Sequence, residues 1–339
     1  MLKSNRIHSS FVVLGALTLA SSSALADAPG VKLGGSLHAK TELFTADSEG
    51  STGFGGIGGG SPVNETTTHF EGFLNGDLQA GTQTSIHFSL PVQGTPYPTL
   101  QDDMTQAFMN WTNSSKTWEI DLGRFGTPFS LESNEVAKTH FANHGLLWGQ
   151  VTNGLYPALV PPRGHTGVRF STHWGSIKTE FIYALPEAFV EGSSSVEAGA
   201  RTEWASSETS KWTFGVLHSV AAARESRQLL HAGGAWKLGS ADLSSELLFC
   251  SEKMNGLGRT QSHGMAIRGA VPLSDTWSSA LRVEYVNSDS NPGLLTSLAM
   301  SQKVTPEFDI RYQIRTDHNL SETAPFSIYE LGISGSINF

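Results

Sequence analysis

Apolar and polar residues alternate with a period of two along most of the chain. Between Lys32 and Phe44, for example, Leu33, Leu37 and Leu43 share one face, and Ser, His, Lys and Glu occupy the other. Because successive side chains of a β-strand point to opposite faces, this alternation predicts strands with one apolar and one polar face. The pattern gives sixteen strands of roughly ten residues, the length that a tilted strand needs to cross a bilayer.

The connections between these predicted strands alternate in length. Odd-numbered strands are followed by longer loops, such as 45–65, 126–163 and the glycine-rich 253–261, and even-numbered strands by short turns, such as Gly175-Ser176 and Gly239-Ser240. Long loops on one side and short turns on the other are typical of outer-membrane barrels. The sequence therefore predicts an all-β fold, a transmembrane antiparallel up-and-down β-barrel of about sixteen strands.

Tryptophans recur near the ends of the predicted strands, where an aromatic girdle at a membrane interface would place them. They are Trp118, Trp174, Trp204, Trp212, Trp236 and Trp277. A periplasmic all-β sandwich or propeller is the alternative, because its strands also have one polar face. A last strand that ends on Phe339 and the absence of a repeat at the length of a propeller blade weigh against that alternative.

The first 26 residues have the features of a secretory signal peptide. Lys3 and Arg6 precede an apolar run over 11–20, and Ala24-Leu25-Ala26 is a small-residue cleavage site. Cleavage after Ala26 leaves residues 27–339 as a single barrel domain, with 20 basic against 31 acidic residues and a net charge of −11. This acidic balance argues against nucleic acid as a partner, and the natural location is the bacterial outer membrane.

Segment 126–163 is the longest interval without a strand pattern, and it mixes prolines, aromatic residues and charges. Irregular segments of this length in compact domains are usually functional or disordered, and this one is too apolar and aromatic for a disordered linker. We therefore expect segment 126–163 to fold inward and narrow a pore. The charged residues predicted at this constriction are Glu132, Glu135, Lys138, Arg163 and Arg169.

Arginines recur on the polar face of the later strands, which would face the lumen. They are Arg201, Arg268, Arg282, Arg311 and Arg315. An acidic segment facing a basic wall would set a transverse field across the pore, and selectivity follows from such charges at the narrowest cross-section. The alternative is that the arginines pair with neighbours such as Glu197, Glu284 and Asp309 and only hold the wall together.

The C-terminal stretch YELGISGSINF, at 329–339, resembles the assembly signal of bacterial porins. The stretches LGRFGTPFSLESNE, at 122–135, and HTGVRFS, at 165–171, resemble the beta-barrel porin-2 (OmpL-like) family. This resemblance implies an outer-membrane porin that lets small hydrophilic solutes or ions diffuse passively, with the third external loop as its constriction. It also implies recognition of Phe339 by the outer-membrane assembly machinery and a possible homotrimer, without a cofactor.

Other kinds of site find little support in the sequence. His140 and His144 have the i, i+4 spacing of zinc ligands, but no third ligand accompanies them. No GxSxG motif is present, so we expect no enzyme activity. Trp148 and Tyr156 could stack on a sugar, although anchoring the segment is the favoured interpretation, and Cys250 is expected to be structural. A plugged barrel with a structural or adhesive role remains the alternative function.

Overall fold

The computed structural model describes residues 31–47, 63–91, 106–126, 128–131, 141, 147, 165–185, 196–221, 224–254, 258–288, 291–320 and 326–338. The predicted signal peptide lies outside these residues. The strands are β1 (Val31–Asp47), β2 (Val63–Gln79), β3 (Thr84–Pro91), β4 (Gln106–Thr112), β5 (Trp118–Phe125), β6 (His165–Trp174), β7 (Ile177–Leu185), β8 (Val196–Ser207), β9 (Ser210–Ala221), β10 (Arg224–Leu238), β11 (Ala241–Met254), β12 (Gly258–Pro272), β13 (Trp277–Ser288), β14 (Asn291–Lys303), β15 (Phe308–Asn319) and β16 (Phe326–Asn338). No helix in these ranges has the length and apolarity needed to span a membrane.

The sheet closes on itself. Each strand pairs antiparallel with its neighbours in sequence, and β1 also pairs with β16. Across this seam, position 37 lies opposite Ile337 and Leu43 opposite Leu331, so the alternation stays in phase around the whole barrel. The predicted count of sixteen antiparallel strands is confirmed.

The alternation separates an apolar outer face from a polar inner face. On β11, Leu247 and Phe249 are exposed, whereas Glu246, which directly precedes Leu247, is buried. On β15, Ile314 is exposed and its neighbour Arg315 is buried. Exposed apolar side chains and buried charged ones are the reverse of the distribution in a soluble protein. Such an outer face requires contact with lipid.

Aromatic residues mark both ends of the wall. All six predicted girdle tryptophans lie near the short-turn end of their strands, and Trp111 packs edge-on against Trp118 there, with ring centroids 4.6 Å apart. The opposite end carries Tyr183, Tyr285 and Tyr329 at outward positions. Two aromatic belts with an apolar band between them are the expected boundary of a membrane-spanning barrel.

The predicted difference in connection length fails after three of the odd-numbered strands. The two-residue turns at Gly175 and Gly239 form as predicted, each with the positive φ that glycine adopts readily. However, the predicted loop 253–261 is wrong, because β11 and β12 continue pairing up to Met254 and Gly258. The long-loop connections after β9, β11 and β13 are therefore only two or three residues long.

Candidate functional site

The inner face of the barrel carries a set of paired charges, some between adjacent strands and some along β15. Arg169, predicted at the constriction, lies beside Asp121 at 2.6 Å. The predicted wall arginines also meet carboxylates: Arg201 beside Glu180 at 2.9 Å, Arg268 beside Glu246 and Glu284 at 2.8 Å each, Arg311 beside Asp309 at 2.8 Å, and Arg315 beside Asp317 at 3.0 Å. The alternation of strand positions thus places Arg169 and all five predicted wall arginines on the inner face. These six ion pairs are what the pairing alternative predicts.

Arg282 has a different environment from the other arginines. It lies directly opposite Arg268 on the neighbouring strand and is fully buried. Its Nη2 lies 3.5 Å from the hydroxyl of Ser297, and its guanidinium stacks over the ring of Phe141, 4.3 Å from the centroid. A guanidinium over an aromatic face is favourable and becomes stronger when both groups are shielded from water. The contact therefore ties segment 126–163 to the wall.

Glu246 is the centre of the inner network. Its carboxylate accepts a hydrogen bond of 2.9 Å from the backbone N–H of Leu131, and the hydroxyl of Ser130 lies 3.4 Å away. Arg268 approaches the same carboxylate from β12 and His231 from β10, at 2.8 Å and 3.4 Å. A buried carboxylate is tolerated only when cations and donors surround it. Here one of those donors belongs to the segment after β5, not to the wall.

Phe129 packs into a space that a glycine leaves open. Phe129 is fully buried, and a Cβ added to Gly215 on β9 would lie 3.0 Å from two of its ring atoms. A Cβ on Gly233 of β10 would lie 2.9 Å from Cδ1 of Leu131. Neither glycine has a positive φ, so the close approach of the side chains, and not backbone conformation, explains both residues.

An apolar patch covers part of the inner wall, although parity predicts a polar inner face. It consists of inward side chains on β7 to β14: Ile182, Ala184, Leu217, Leu229, Leu248, Cys250, Ala266, Val286 and Leu295. Phe125, Phe129 and Leu147 pack against this patch in one buried cluster. The patch thus buries apolar surface of the segment that would otherwise face water. Cys250 lies in this cluster, consistent with a structural role.

Two further contacts extend along the segment. The backbone N–H of Leu147 lies 3.4 Å from the buried carboxylate of Glu284, and the carbonyl of Phe141 accepts a hydrogen bond of 3.5 Å from Arg311. On the other side of the barrel, His165 pairs with Glu197 at 2.7 Å, and its ring lies beside Phe129. The described residues of segment 126–163 thus contact inward side chains on strands from β6 to β15.

Several predicted site residues lie outside the described residues: Glu132, Glu135, Lys138, Arg163, His140, His144, Trp148 and Tyr156. The acidic half of the predicted field belongs to this group, so the field stays a prediction. Within the described ranges, no three His, Cys, Asp or Glu side chains are grouped as metal ligands would be.

The residues that sequence reasoning missed are Phe129, Leu131, Phe141 and Leu147. None carries a charge or a catalytic group, and their positions in the sequence do not indicate which strands of the wall they contact. The available signal was their apolar character within a long irregular segment. Inward glycines at Gly215 and Gly233 were a second signal, because a glycine in a strand often marks the close approach of another group.

Comparison with solved structures finds barrels of the same architecture. An anion-selective porin from Comamonas acidovorans is 13% identical, with a TM-score of 0.66, over 91% of this chain and 99% of that one. OprB of Pseudomonas putida is 10% identical, with a TM-score of 0.68, over 95% and 97%. The trimer form of OmpT from Vibrio cholerae is 11% identical, with a TM-score of 0.60, over 91% and 99%. At these identities the likeness concerns the fold.

Comparison with curated proteins finds no match. A family model, described as "Putative beta-barrel porin-2, OmpL-like", matches residues 63–310. This match includes β2 to β14 and most of the inner network. It covers well over half of the chain and agrees with the closed sixteen-stranded barrel, so the chain belongs to the OmpL-like beta-barrel porin-2 family of outer-membrane porins.

Proposed function

We propose that the protein is a passive diffusion channel for small hydrophilic solutes or ions, narrowed by segment 126–163. The observation that carries the proposal is the hydrogen bond from Leu131 to Glu246, which ties the segment to the far wall of the barrel. Barrels of sixteen to eighteen strands enclose an aqueous channel. A segment held across such a channel reduces its cross-section and sets which charges a solute passes. The proposal gives the chain no catalytic step and no cofactor.

The proposal includes the assembled state and the maturation of the chain. Cleavage after Ala26 would release residues 27–339 into the periplasm, and Phe339 would present the last strand to the assembly machinery. One structural neighbour is the trimer form of OmpT, which supports a homotrimer for this chain.

A plugged barrel with a structural or adhesive role is the second candidate. The inner apolar patch and the full burial of Arg282 and Glu284 favour it, because a wide water-filled lumen would leave inner charges in contact with solvent. Such a barrel would conduct little, and its role would depend on the external loops.

Single-channel conductance in planar bilayers separates the two candidates. The wild type is compared with a deletion within Glu132–Pro161, which keeps Phe129 and Leu131 in place. Stable open steps that grow in the deletion support a channel narrowed by the segment, and the reversal potential in a salt gradient then gives its selectivity. Folded protein that conducts in neither form would refute the channel and leave the plugged barrel.

A further inference from the structure

Three polar side chains on the inner face of β2 and β3 contact one another in the order serine, histidine, aspartate. The hydroxyl of Ser85 lies 2.8 Å from Nε2 of His87. Nδ1 of His87 is hydrogen-bonded to the carboxylate of Asp77, which lies directly opposite His87 on the neighbouring strand. Ser85 and His87 are two residues apart on one strand, so both side chains point to the same face. A hydroxyl, an imidazole and a carboxylate are thus connected by hydrogen bonds.

The contacts of His87 determine where the proton of its ring lies. An ionised carboxylate only accepts hydrogen bonds, so Nδ1 of His87 carries the proton that it donates to Asp77. In the neutral imidazole the other nitrogen, Nε2, is then an acceptor. Nε2 therefore accepts the hydrogen bond from the hydroxyl of Ser85. This is the arrangement in which a histidine removes the proton of a nucleophilic serine.

The other histidines do not have this arrangement. His165 and His231 each contact a glutamate through one ring nitrogen, and within the described ranges the other ring nitrogen is buried without a hydrogen-bond partner. His318 contacts the hydroxyl of Ser327 through Nδ1. Among the histidines whose side chains the structure describes, only His87 has a carboxylate on one ring nitrogen and a hydroxyl on the other. His87 thus has both a nucleophile within reach and a group that orients its ring, as a general base requires.

The strands on either side of β3 supply the surroundings of these three residues. The ring of Phe108 on β4 stacks on the imidazole of His87, with ring centroids 4.9 Å apart and 24° between the ring planes. Gln79 on β2 and Asn110 on β4 lie directly opposite Ser85, one on each side. A side-chain amide carries two N–H donors. The two amides can therefore donate to an oxyanion that develops beside the hydroxyl of Ser85.

The position of the three residues indicates which substrates reach them. The exposed fraction of the side chain is 34% for His87 and 54% for Asp77, so water and small solutes in the lumen have access to both. The residues lie close to the turn at 80–83, and short turns are on the periplasmic side of such barrels. Lipid contacts the outer face, so a substrate at this inward site is a water-soluble molecule. The ring of Phe108 offers it an apolar surface beside the imidazole.

We propose that Ser85, His87 and Asp77 form a hydrolytic site for small, water-soluble carboxylic esters, an activity additional to diffusion through the channel. Oγ of Ser85 attacks the carbonyl carbon while Nε2 of His87 takes its proton, and His87 passes that proton to the alcohol oxygen as the ester C–O bond breaks. A water molecule from the lumen then attacks the acyl-serine. His87 accepts one proton from this water and returns it to Oγ as the carboxylic acid leaves. Asp77 is a positioning residue that holds the imidazole.

The proposed site differs from the hydrolase motif that the sequence lacks. A GxSxG motif places its serine on a sharp turn between a strand and a helix. Ser85 and His87 instead lie within one strand, and Asp77 lies on its neighbour. The absence of GxSxG therefore does not exclude this site.

Labelling with a fluorophosphonate tests whether the hydroxyl of Ser85 is activated. The probe reacts with the folded, detergent-solubilised protein, and mass spectrometry of its peptides locates the modified serine. Ser327 is the internal control, because its hydroxyl also lies 2.8 Å from a histidine but within the described ranges that imidazole has no carboxylate partner. A general base contributes about 10²-fold to 10⁴-fold, so Ser85 should be labelled at least about a hundredfold faster than Ser327. An unlabelled Ser85, or equal rates at the two serines, overturns the inference.

Hydrolysis of p-nitrophenyl butyrate measures the reaction itself. Ser85→Ala and His87→Gln should reduce the rate to that of buffer, and Ser327→Ala should hydrolyse the ester as the wild type does. Asp77→Asn should lower kcat at least about tenfold and leave KM within about twofold, because it disturbs the imidazole and not the substrate contacts.

Circular dichroism checks that each of these variants is folded. Equal rates of hydrolysis by the wild type and Ser85→Ala would refute the hydrolytic site, and an unchanged kcat in Asp77→Asn would refute the positioning role of Asp77. None of these readouts depends on conductance, so their failure and the failure of the channel are distinguishable.

Discussion

Gly215→Val is the sharpest test of whether segment 126–163 narrows the channel. The substitution leaves the segment's own sequence intact and fills the space that Phe129 occupies against β9. A Cβ alone would lie 3.0 Å from two ring atoms of the fully buried Phe129, and the two methyl groups of valine add to the overlap. The backbone tolerates the change, because valine is more favourable than glycine within a strand.

The expected magnitude follows from the steric overlap. Overpacking a close-packed site costs about 1–3 kcal/mol, and each 1.4 kcal/mol changes an equilibrium about tenfold. The ratio of attached to displaced segment should therefore fall between about fivefold and about a hundredfold. In planar bilayers we expect new conductance steps larger than those of the wild type, or more frequent transitions to them.

Gly269→Val is the matched control for this prediction. Gly269 is a strand glycine with outward parity, and a Cβ there would have its nearest neighbour, Cδ1 of Leu243, at an ordinary 3.8 Å. This variant should conduct as the wild type does. If Gly215→Val is folded and its conductance traces match those of Gly269→Val, Phe129 does not hold a constriction and the reasoning fails.

Two further substitutions, with Leu273→Arg as a control for the second, test the inner network and the outer face. Arg268→Met leaves Glu246 and Glu284 buried without their shared cation. It should lower the free energy of unfolding by about 3–5 kcal/mol, measured by urea titration in lipid vesicles. An unchanged unfolding midpoint would contradict the pairing. Ile314→Arg, midway along β15 and 58% exposed, should cost about 2–4 kcal/mol in the same assay. Leu273→Arg, 57% exposed but beyond the end of β12, should cost about 0–1 kcal/mol, and equal costs would mean that Ile314 does not face lipid.

The alternation of residues predicts most of the barrel, because parity is a local property of each strand. It gives sixteen strands, the girdle from Trp118 to Trp277, and the inward position of Arg268 and Arg315 before any contact is known. The sequence prediction failed where glycine content and strand pairing favoured different structures. The glycine-rich stretch 253–261 indicated a loop, yet continued pairing of β11 with β12 draws Lys253 and Arg259 into strands.

The sequence by itself determined the strand count, the two faces of the wall and the side on which each charge lies, since these depend only on the period of two. The tertiary structure decided which groups meet inside. Leu131 binds Glu246, 115 residues away, and the ring of Phe129 packs against Gly215. Such contacts depend on barrel closure, which brings distant strands around one lumen, and on the path of a segment without periodicity. No local pattern encodes either, so the lumen contacts became visible only in the closed barrel.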